Sequence, residues 1–317
     1  MPAVGFEPTT LGSSTLREAI EHGGDEAMAP LVTIGLPVFN SERYLRNSLD
    51  SLLGQTYADF VLIISDNASE DATPVICDEY VRQDSRVRYY RNATNIGNPG
   101  NFNRVFQLVE TPYLKWSTSD DWWEPTFLEK AVAVLQSDPD VVLCYPQAEI
   151  VDAEHGDTSR YHDVLHLMQD DPVERFIALL DRIGLTHQHL GLIRTEALRQ
   201  THLLGSHVGS DINLLAELAL YGKFYELPEV LFHRRFHNKS GSWKRGDTRH
   251  EAAYYLASGA SPRQLKHWKS HLAFVRAVLS APLTVGARVR ALGYLARRGY
   301  WERSMLWSEL RGQKRTV

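Results

Sequence analysis

The chain is poor in cysteine. It has two in 317 residues, Cys77 and Cys144, each inside an apolar run. That is too few for a disulfide framework or a zinc cluster, and it fits a reducing compartment. Nowhere is there a run of the roughly 18 apolar residues that a membrane-spanning helix needs. Positive charge is not in excess: the net charge is −5, so the chain as a whole is no electrostatic nucleic-acid binder. Neither the dinucleotide fingerprint nor a phosphate-binding loop with its lysine occurs, which argues against hydride transfer. No internal repeat and no low-complexity tract is found. What remains is ordinary globular composition, 43% apolar and 23% charged. The length suits one large α/β domain with an appendage, or two modest domains.

Residues 1–27 differ from the rest. They carry little regular pattern and lack the basic-then-apolar order of a signal peptide. The run VGFEPTTL can be back-translated into the conserved core of a tRNA T-arm gene. Two expectations follow: a disordered tail, or an extension upstream of a working start at Met28.

From Leu31 the pattern is regular. Buried strands are expected at 31–39, 60–67, 86–92, 113–118 and 141–147. Helices are expected after Tyr44, from about Ala72, over 101–109 and over 125–136, with Asn40 or Ser41 able to cap the first. Strand and helix alternate at crossover spacing, which predicts a mostly parallel sheet with helices on both faces. In the second half, 173–183 and 210–222 read as helices, and 189–195 and 230–237 as strands. From Lys244 onward the chain reads as helical and basic, with fifteen Lys and Arg against four Asp and Glu.

In such sheets the ligand lies beyond the carboxyl ends of the strands. The polar residues after each strand are therefore the candidates: Asn40, Asp66, Asn67, Asn95, Asp120 and Asp121. The acidic pair in KWSTSDDWW offers hard oxygen ligands of the kind a divalent cation takes together with substrate phosphates. The competing reading is a plain turn. Asp66 could accept from a nucleobase N–H, or merely start an Asx turn. Gly97 and Gly100 precede a helix whose N-terminus could approach a phosphate, a weak signal on spacing alone. Asp211 stands at a helix start, as a general base or as a cap. Arg235 could hold a diphosphate and His237 a metal. His187 and His189 have zinc-like residue types without an acidic or cysteine partner at a sensible spacing, and could line an acceptor pocket.

Taken in order, IGLPVFNSERYLRNSLDSLLGQTY, VLIISDNASEDAT, NIGNPGNFNRVFQ, STSDDWWEPTFLEKAV, GSDINLLAELALYG and RRFHNKSGS resemble the family 2 glycosyltransferases of the GT-A fold, over roughly residues 31–242. The resemblance implies an α/β, GT-A-like domain over 28–243 followed by a basic helical region over 244–317. It implies inverting transfer from a nucleotide-diphosphate sugar, with UDP- or dTDP-sugars favoured, to a carbohydrate or lipid-linked acceptor hydroxyl, with Mn²⁺ or Mg²⁺ as cofactor. Cell-surface polysaccharide or glycoconjugate synthesis is the implied setting. Pro37, Phe39, Asn40 and Glu42 match the first strand-end motif beside the nucleotide. Asp66 matches the base-reading aspartate, and Asn95, Gly97 and Asn103 match the loop beside ribose and diphosphate. Asp120 and Asp121 fall on the metal motif, with Asp120 also beside the donor. Asp211 matches the catalytic base. Arg235 is placed on the donor, and His237 where a loop residue closes on metal and diphosphate.

Two departures stand out. The commonest family pattern has an aspartate where this chain has Thr118, which leaves open which of Asp120 and Asp121 would touch the metal. Ser210 replaces the first acid of a Glu-Asp pair, so a single carboxylate remains at the base. A catalytically weakened nucleotide-sugar binding protein of the same fold is the alternative these changes raise. A sugar-nucleotide pyrophosphorylase is disfavoured, because GLPVFNSERY lacks a glycine-rich basic loop. The basic C-terminal region reads either as a helical layer with a solvated face or as a peripheral membrane contact of a cytoplasmic protein.

Overall fold

The computed structural model describes residues 29–161, 163–237 and 265–311. Its first half is built of strand–helix units. Strands β1 (Val32–Val38) and β2 (Phe60–Asp66) are buried at every position, as strands covered on both faces must be. Helix α1 (Leu45–Leu53) turns Leu45, Leu49 and Leu52 inward. Helix α2 (Thr73–Gln83) buries Ile76, Cys77 and Tyr80. Strand β3 (Val87–Arg91) is half-exposed at the sheet edge. Helix α3 (Asn98–Gln107), strand β4 (Tyr113–Trp116), the two-residue strand β5 (Trp122–Trp123) and helix α4 (Phe127–Ser137) follow.

The second half comprises β6 (Val141–Asp152), β7 (Thr158–Tyr161), α5 (Pro172–Arg182), a 3-10 turn (His187–Leu190), β8 (Leu192–Arg194), α6 (Thr195–Arg199), α7 (Ser210–Tyr221) and β9 (Lys223–Phe236). Three helices close the described chain: α8 (Lys266–Ser280), α9 (Val285–Trp301) and α10 (Arg303–Leu310).

The sheet runs in the order β3-β2-β1-β4-β8-β6-β9-β5, with β7 paired to β6. Strands β1 to β4 are mutually parallel. Strand β8 is antiparallel to both its neighbours, so β6 and its parallel partner β9 run in the same direction as β4. Most strands thus point their carboxyl ends to one edge, as the alternating pattern predicts.

Several local expectations change. Helix α3 begins at Asn98, earlier than expected, because Gly97 (φ 78°, ψ 159°) makes the sharp entry that leaves Asn98 and Pro99 in helical geometry. The strand expected over 189–195 is half a 3-10 turn, and only Leu192–Arg194 pairs. Neither Asn40 nor Ser41 caps α1 with its side chain: the N-cap is Tyr44, without a side-chain bond. Asn40 instead adopts φ 48° and accepts from the Glu70 backbone N–H.

Helices α8 and α9 pack on α5 and α7 rather than standing apart, and α10 packs on them. Phe274 meets Phe176 edge-on, Asn213 donates to the Ser270 carbonyl, and the Tyr294 hydroxyl donates to Asp181 at 2.5 Å. Among the described residues no helix is long and apolar enough to cross a membrane. Residues 1–28, and the stretch 238–264 that includes the end of RRFHNKSGS and the start of the basic region expected from Lys244, lie outside the described residues.

Candidate active site

A cavity of about 730 Å³ opens where the strand ends meet α7 and the C-terminal helices. Thr118, Asp120, Asp121 and Asp211 line it, as do His187 and His189. Residues as far apart in sequence as Thr118 and Asp211 therefore share one space, beyond the carboxyl end of β4.

The acidic turn is held from three sides. Ser48 of α1 donates to the Thr118 carbonyl at 2.7 Å. Ser119 pairs with Ser41 through their hydroxyls. Arg235 of β9 donates to the Asp120 carbonyl at 2.5 Å and to Asn47 at 2.9 Å, and its guanidinium is sandwiched between the rings of Tyr44 (4.2 Å) and Trp122 (4.7 Å). Such stacking preserves the charge while shielding it.

The two aspartates have different surroundings. Asp121 is 4% exposed. Its Oδ2 accepts from the Thr118 hydroxyl at 2.6 Å and its Oδ1 from the Arg235 backbone N–H at 2.7 Å. Burial first, and the neighbouring charge of Asp120 second, push its carboxyl up to about 7, against the pull of Arg234 and these donors. The Asp120 side chain is 27% exposed, and its Oδ2 lies 3.0 Å from His237 Nε2. The sequence reading put Asp120, Asp121 and His237 together on a metal. The structure joins Asp120 to His237 and commits both oxygens of Asp121 to protein donors.

Among the described residues no group of three or more His, Cys, Asp or Glu side chains could hold a metal ion. A carboxylate beside an imidazole nevertheless suits Mn²⁺ or Mg²⁺ that takes its remaining ligands from substrate oxygens. The donor set fits a cation bound together with a diphosphate, with Asp120 and His237 as the protein's share.

Asp211 sits in the first turn of α7. The N-cap is Gly209, at φ 85°, a conformation that favours glycine. Capping is therefore not the role of Asp211. Its Oδ2 accepts from the Thr186 hydroxyl at 2.6 Å and its Oδ1 from the Ile212 N–H. Thr186 itself is left-handed, φ 58°. The sequence reading missed it, although it adjoins the HQH that drew attention. His189 Nδ1 lies 2.5 Å from the Thr186 carbonyl. A carbonyl only accepts, so Nδ1 carries the proton. Burial lowers the His189 pKa and keeps the ring neutral, which makes Nε2 an acceptor. His187 packs against Tyr145, Tyr161 and Phe232.

The remaining candidates hold the scaffold. Pro37 is buried within β1, and Phe39 is exposed. Glu42 accepts from the Ala72 N–H while its own N–H donates to Asp71, tying two strand-end loops together. Asp66 is fully buried. It accepts from the Ser69 N–H at 2.9 Å and the Tyr89 hydroxyl at 2.8 Å, with Arg91 Nε at 3.6 Å. The Asx turn is thus real, and a base reaches this carboxylate only by displacing Tyr89 or Arg91. Asn95 accepts from Asn67 and from the Gly97 N–H, which fixes the loop before α3. Asn103 spends its whole amide on the Leu204 backbone, at 2.8 and 3.2 Å. That pins the loop leading to Asp211.

Lys115 was also missed. It is fully buried, with its amine 3.5 Å from the centre of the Trp123 ring and donating to the Trp116 carbonyl. Burial drives its pKa well below the ordinary lysine value. Trp116 and Trp123 are core residues, and Trp122 stacks on His233 at 4.9 Å.

The family model for Glycosyl transferase family 2 matches residues 33–201, more than half of the chain. The chain belongs to this family. Among curated relatives, the putative glycosyltransferase EpsH of Bacillus subtilis is 31% identical over 151 residues, 48% of this chain and 43% of that protein. The glycosyltransferase GlyA of Streptococcus pneumoniae is 33% identical over 110 residues, 34% of this chain and 16% of that protein. The family 2 chain thus spans less than half the length of these relatives. Of solved structures, S. aureus TarS 1-349 in complex with UDP superposes with a TM-score of 0.62 at 16% identity, covering 85% of this chain and 71% of that one. The mannosyltransferase PcManGT of Pyrobaculum calidifontis, in complex with GDP-Man and Mn²⁺, gives 0.51 at 17%, covering 90% and 85%. These likenesses establish the GT-A fold expected from the sequence.

Proposed function

We propose that this family 2 chain transfers a sugar, with inversion, from a nucleotide-diphosphate donor to an acceptor hydroxyl. The observation that carries the reading is that the Asp120–Asp121 turn and Asp211 line the same cavity. Asp120 and His237 would hold Mn²⁺ or Mg²⁺, which when bound neutralises charge gathering on the departing diphosphate. Asp211, oriented by Thr186, takes the proton of the acceptor hydroxyl as its oxygen attacks the anomeric carbon from the opposite face. Arg235, stacked between two rings, keeps a fixed positive charge beside the leaving group. The nucleotide-sugar class is supported by neighbours of the same fold that bind UDP, UDP-GlcNAc and GDP-Man, and a UDP- or dTDP-sugar is the donor proposed. The acceptor proposed is a carbohydrate or lipid-linked glycan, in cell-surface polysaccharide or glycoconjugate assembly.

The test is a panel of nucleotide sugars with Mn²⁺, read by donor hydrolysis and by transfer. Asp211→Asn is expected to lower transfer by at least about a hundred-fold, the low end of general-base effects, while donor plus Mn²⁺ still raises Tm. Near-normal transfer by this variant refutes the base assignment. Donor binding without any hydrolysis or transfer by the unaltered chain favours the non-catalytic binder.

A further inference from the structure

We propose that the outer face of α9 and α10 docks on a lipid surface bearing anionic headgroups. Between Lys266 and Arg311 there are nine Lys and Arg but only two Glu, in a chain whose net charge is −5. Both glutamates are engaged: Glu302 with Arg298, and Glu309 with the backbone N–H groups of His267 and Trp268. Arg290 is paired with Asp171 at the start of α5, and the remaining excess still makes the layer a positive patch on an acidic protein, complementary in charge to an anionic surface.

Its apolar pattern points the same way. On α9 five of the exposed uncharged residues fall on one stripe, Val285, Val289, Gly293, Ala296 and Tyr300, spaced three and four apart as one helical face requires, with the exposed Arg290 and Arg297 along its edge. Val289 is 64% exposed and Tyr300 63%. Trp301 and Trp307 continue the face at 64% and 58%. Two tryptophans and a tyrosine exposed beside arginines form the mixed aromatic and cationic surface that a headgroup layer, rather than water alone, matches. Arg297, Arg303 and Arg311 are exposed and have no carboxylate partner among the described residues. Arg297 lies 5.3 Å over the Trp301 ring and Arg303 4.1 Å over Tyr300. Amphipathic rings paired with arginines are what the headgroup level of a bilayer accommodates, rings at the acyl boundary and charges on phosphates.

The inner side of the same layer walls the cavity, through Ser270, His271 and Phe274 of α8 and Met305 of α10. A docked chain would hold that cavity close to the bilayer, within reach of a lipid-linked hydroxyl. The docking itself does not depend on the catalytic reading.

The experiment is flotation of the full chain with vesicles of phosphatidylcholine alone or with about one-third phosphatidylglycerol, without donor or metal. Binding is expected to the anionic vesicles only, and to weaken as salt rises. Each arginine near such a surface contributes about five-fold in binding. Arg297→Gln, Arg303→Gln and Arg311→Gln together are therefore expected to weaken it by on the order of a hundred-fold. Trp301→Ser with Trp307→Ser, its fold checked by an unchanged thermal transition, is expected to lose binding that lowering the salt does not restore. No binding to anionic vesicles, or binding indifferent to both sets, overturns the proposal. So does concentration-dependent self-association in sedimentation velocity that the tryptophan pair abolishes, which would give the face to a second copy.

Discussion

Replacing Thr118 by valine keeps the shape of the side chain and deletes one donor. That donor is the hydroxyl 2.6 Å from Asp121 Oδ2. Asp121 is buried, so water does not substitute, and Oδ1 keeps only the Arg235 N–H. A hydrogen bond to a charged group contributes roughly 1.5–3 kcal/mol. With Asp121 ionised, at pH 8, Thr118→Val is expected to cost about 2 kcal/mol, a fall of about 3 °C in Tm for a chain of this size. The folded carboxyl titrates at about 7, above its unfolded value. Its contribution to stability is therefore fully present below about pH 4 and lost as pH rises through about 7. At pH 5 the folded Asp121 is protonated, the bond is between neutral groups, and the cost is expected to fall to about 1 kcal/mol. Urea denaturation at both pH values, in metal-free buffer with EDTA, measures the difference. An equal loss at pH 5 and pH 8, or none at pH 8, refutes the claim that Thr118 serves Asp121.

Three further outcomes follow. His237→Ala removes the imidazole beside Asp120 and is expected to abolish the added thermal stabilisation that Mn²⁺ gives with a nucleotide diphosphate, leaving the metal-free Tm within about 2 °C; an undiminished Mn²⁺ response speaks against His237 as a ligand. Asn103→Ala strands the Leu204 N–H and C=O and is expected to cost about 1–3 kcal/mol in urea, with transfer falling more than donor affinity because the loop before Asp211 loosens; an unchanged transfer rate contradicts that positioning role. Gly191→Ala places a methyl 2.5 Å from the Cys144 carbonyl and 2.9 Å from Tyr145 Cβ, so a loss of about 1–3 kcal/mol is expected from forcing the 187–190 turn off β6; wild-type stability would show that the turn shifts freely.

Much of the site was legible where its partners are near in sequence. Asp66 and Ser69 make an Asx turn that SDNAS announces, and the DDWW turn stands out after an apolar strand. Long-range partners were not legible. His237 reaches Asp120 across 117 positions, the Arg235 backbone reaches Asp121 across 114, and Asn103 holds Leu204 across 101. No periodicity encodes such pairings, because they depend on which strands become neighbours. Asn103 shows the consequence: its match to the family's loop suggested the donor, yet both ends of its amide are spent on a backbone.

By itself the sequence determined the run of strands and helices, the parallel first half and the edge at which a ligand must lie. Apolar periodicity and turn chemistry are local properties, and crossover spacing leaves few ways to connect them. Only the tertiary structure decided the division of labour in the acidic pair. Two adjacent aspartates are chemically identical in the chain. Packing of β9 against the turn buries Asp121, adds the Arg235 backbone N–H to the local Thr118 hydroxyl, and leaves Asp120 partly in the cavity beside an imidazole. Desolvation is a property of the assembled fold, so that difference has no signature in KWSTSDDWW.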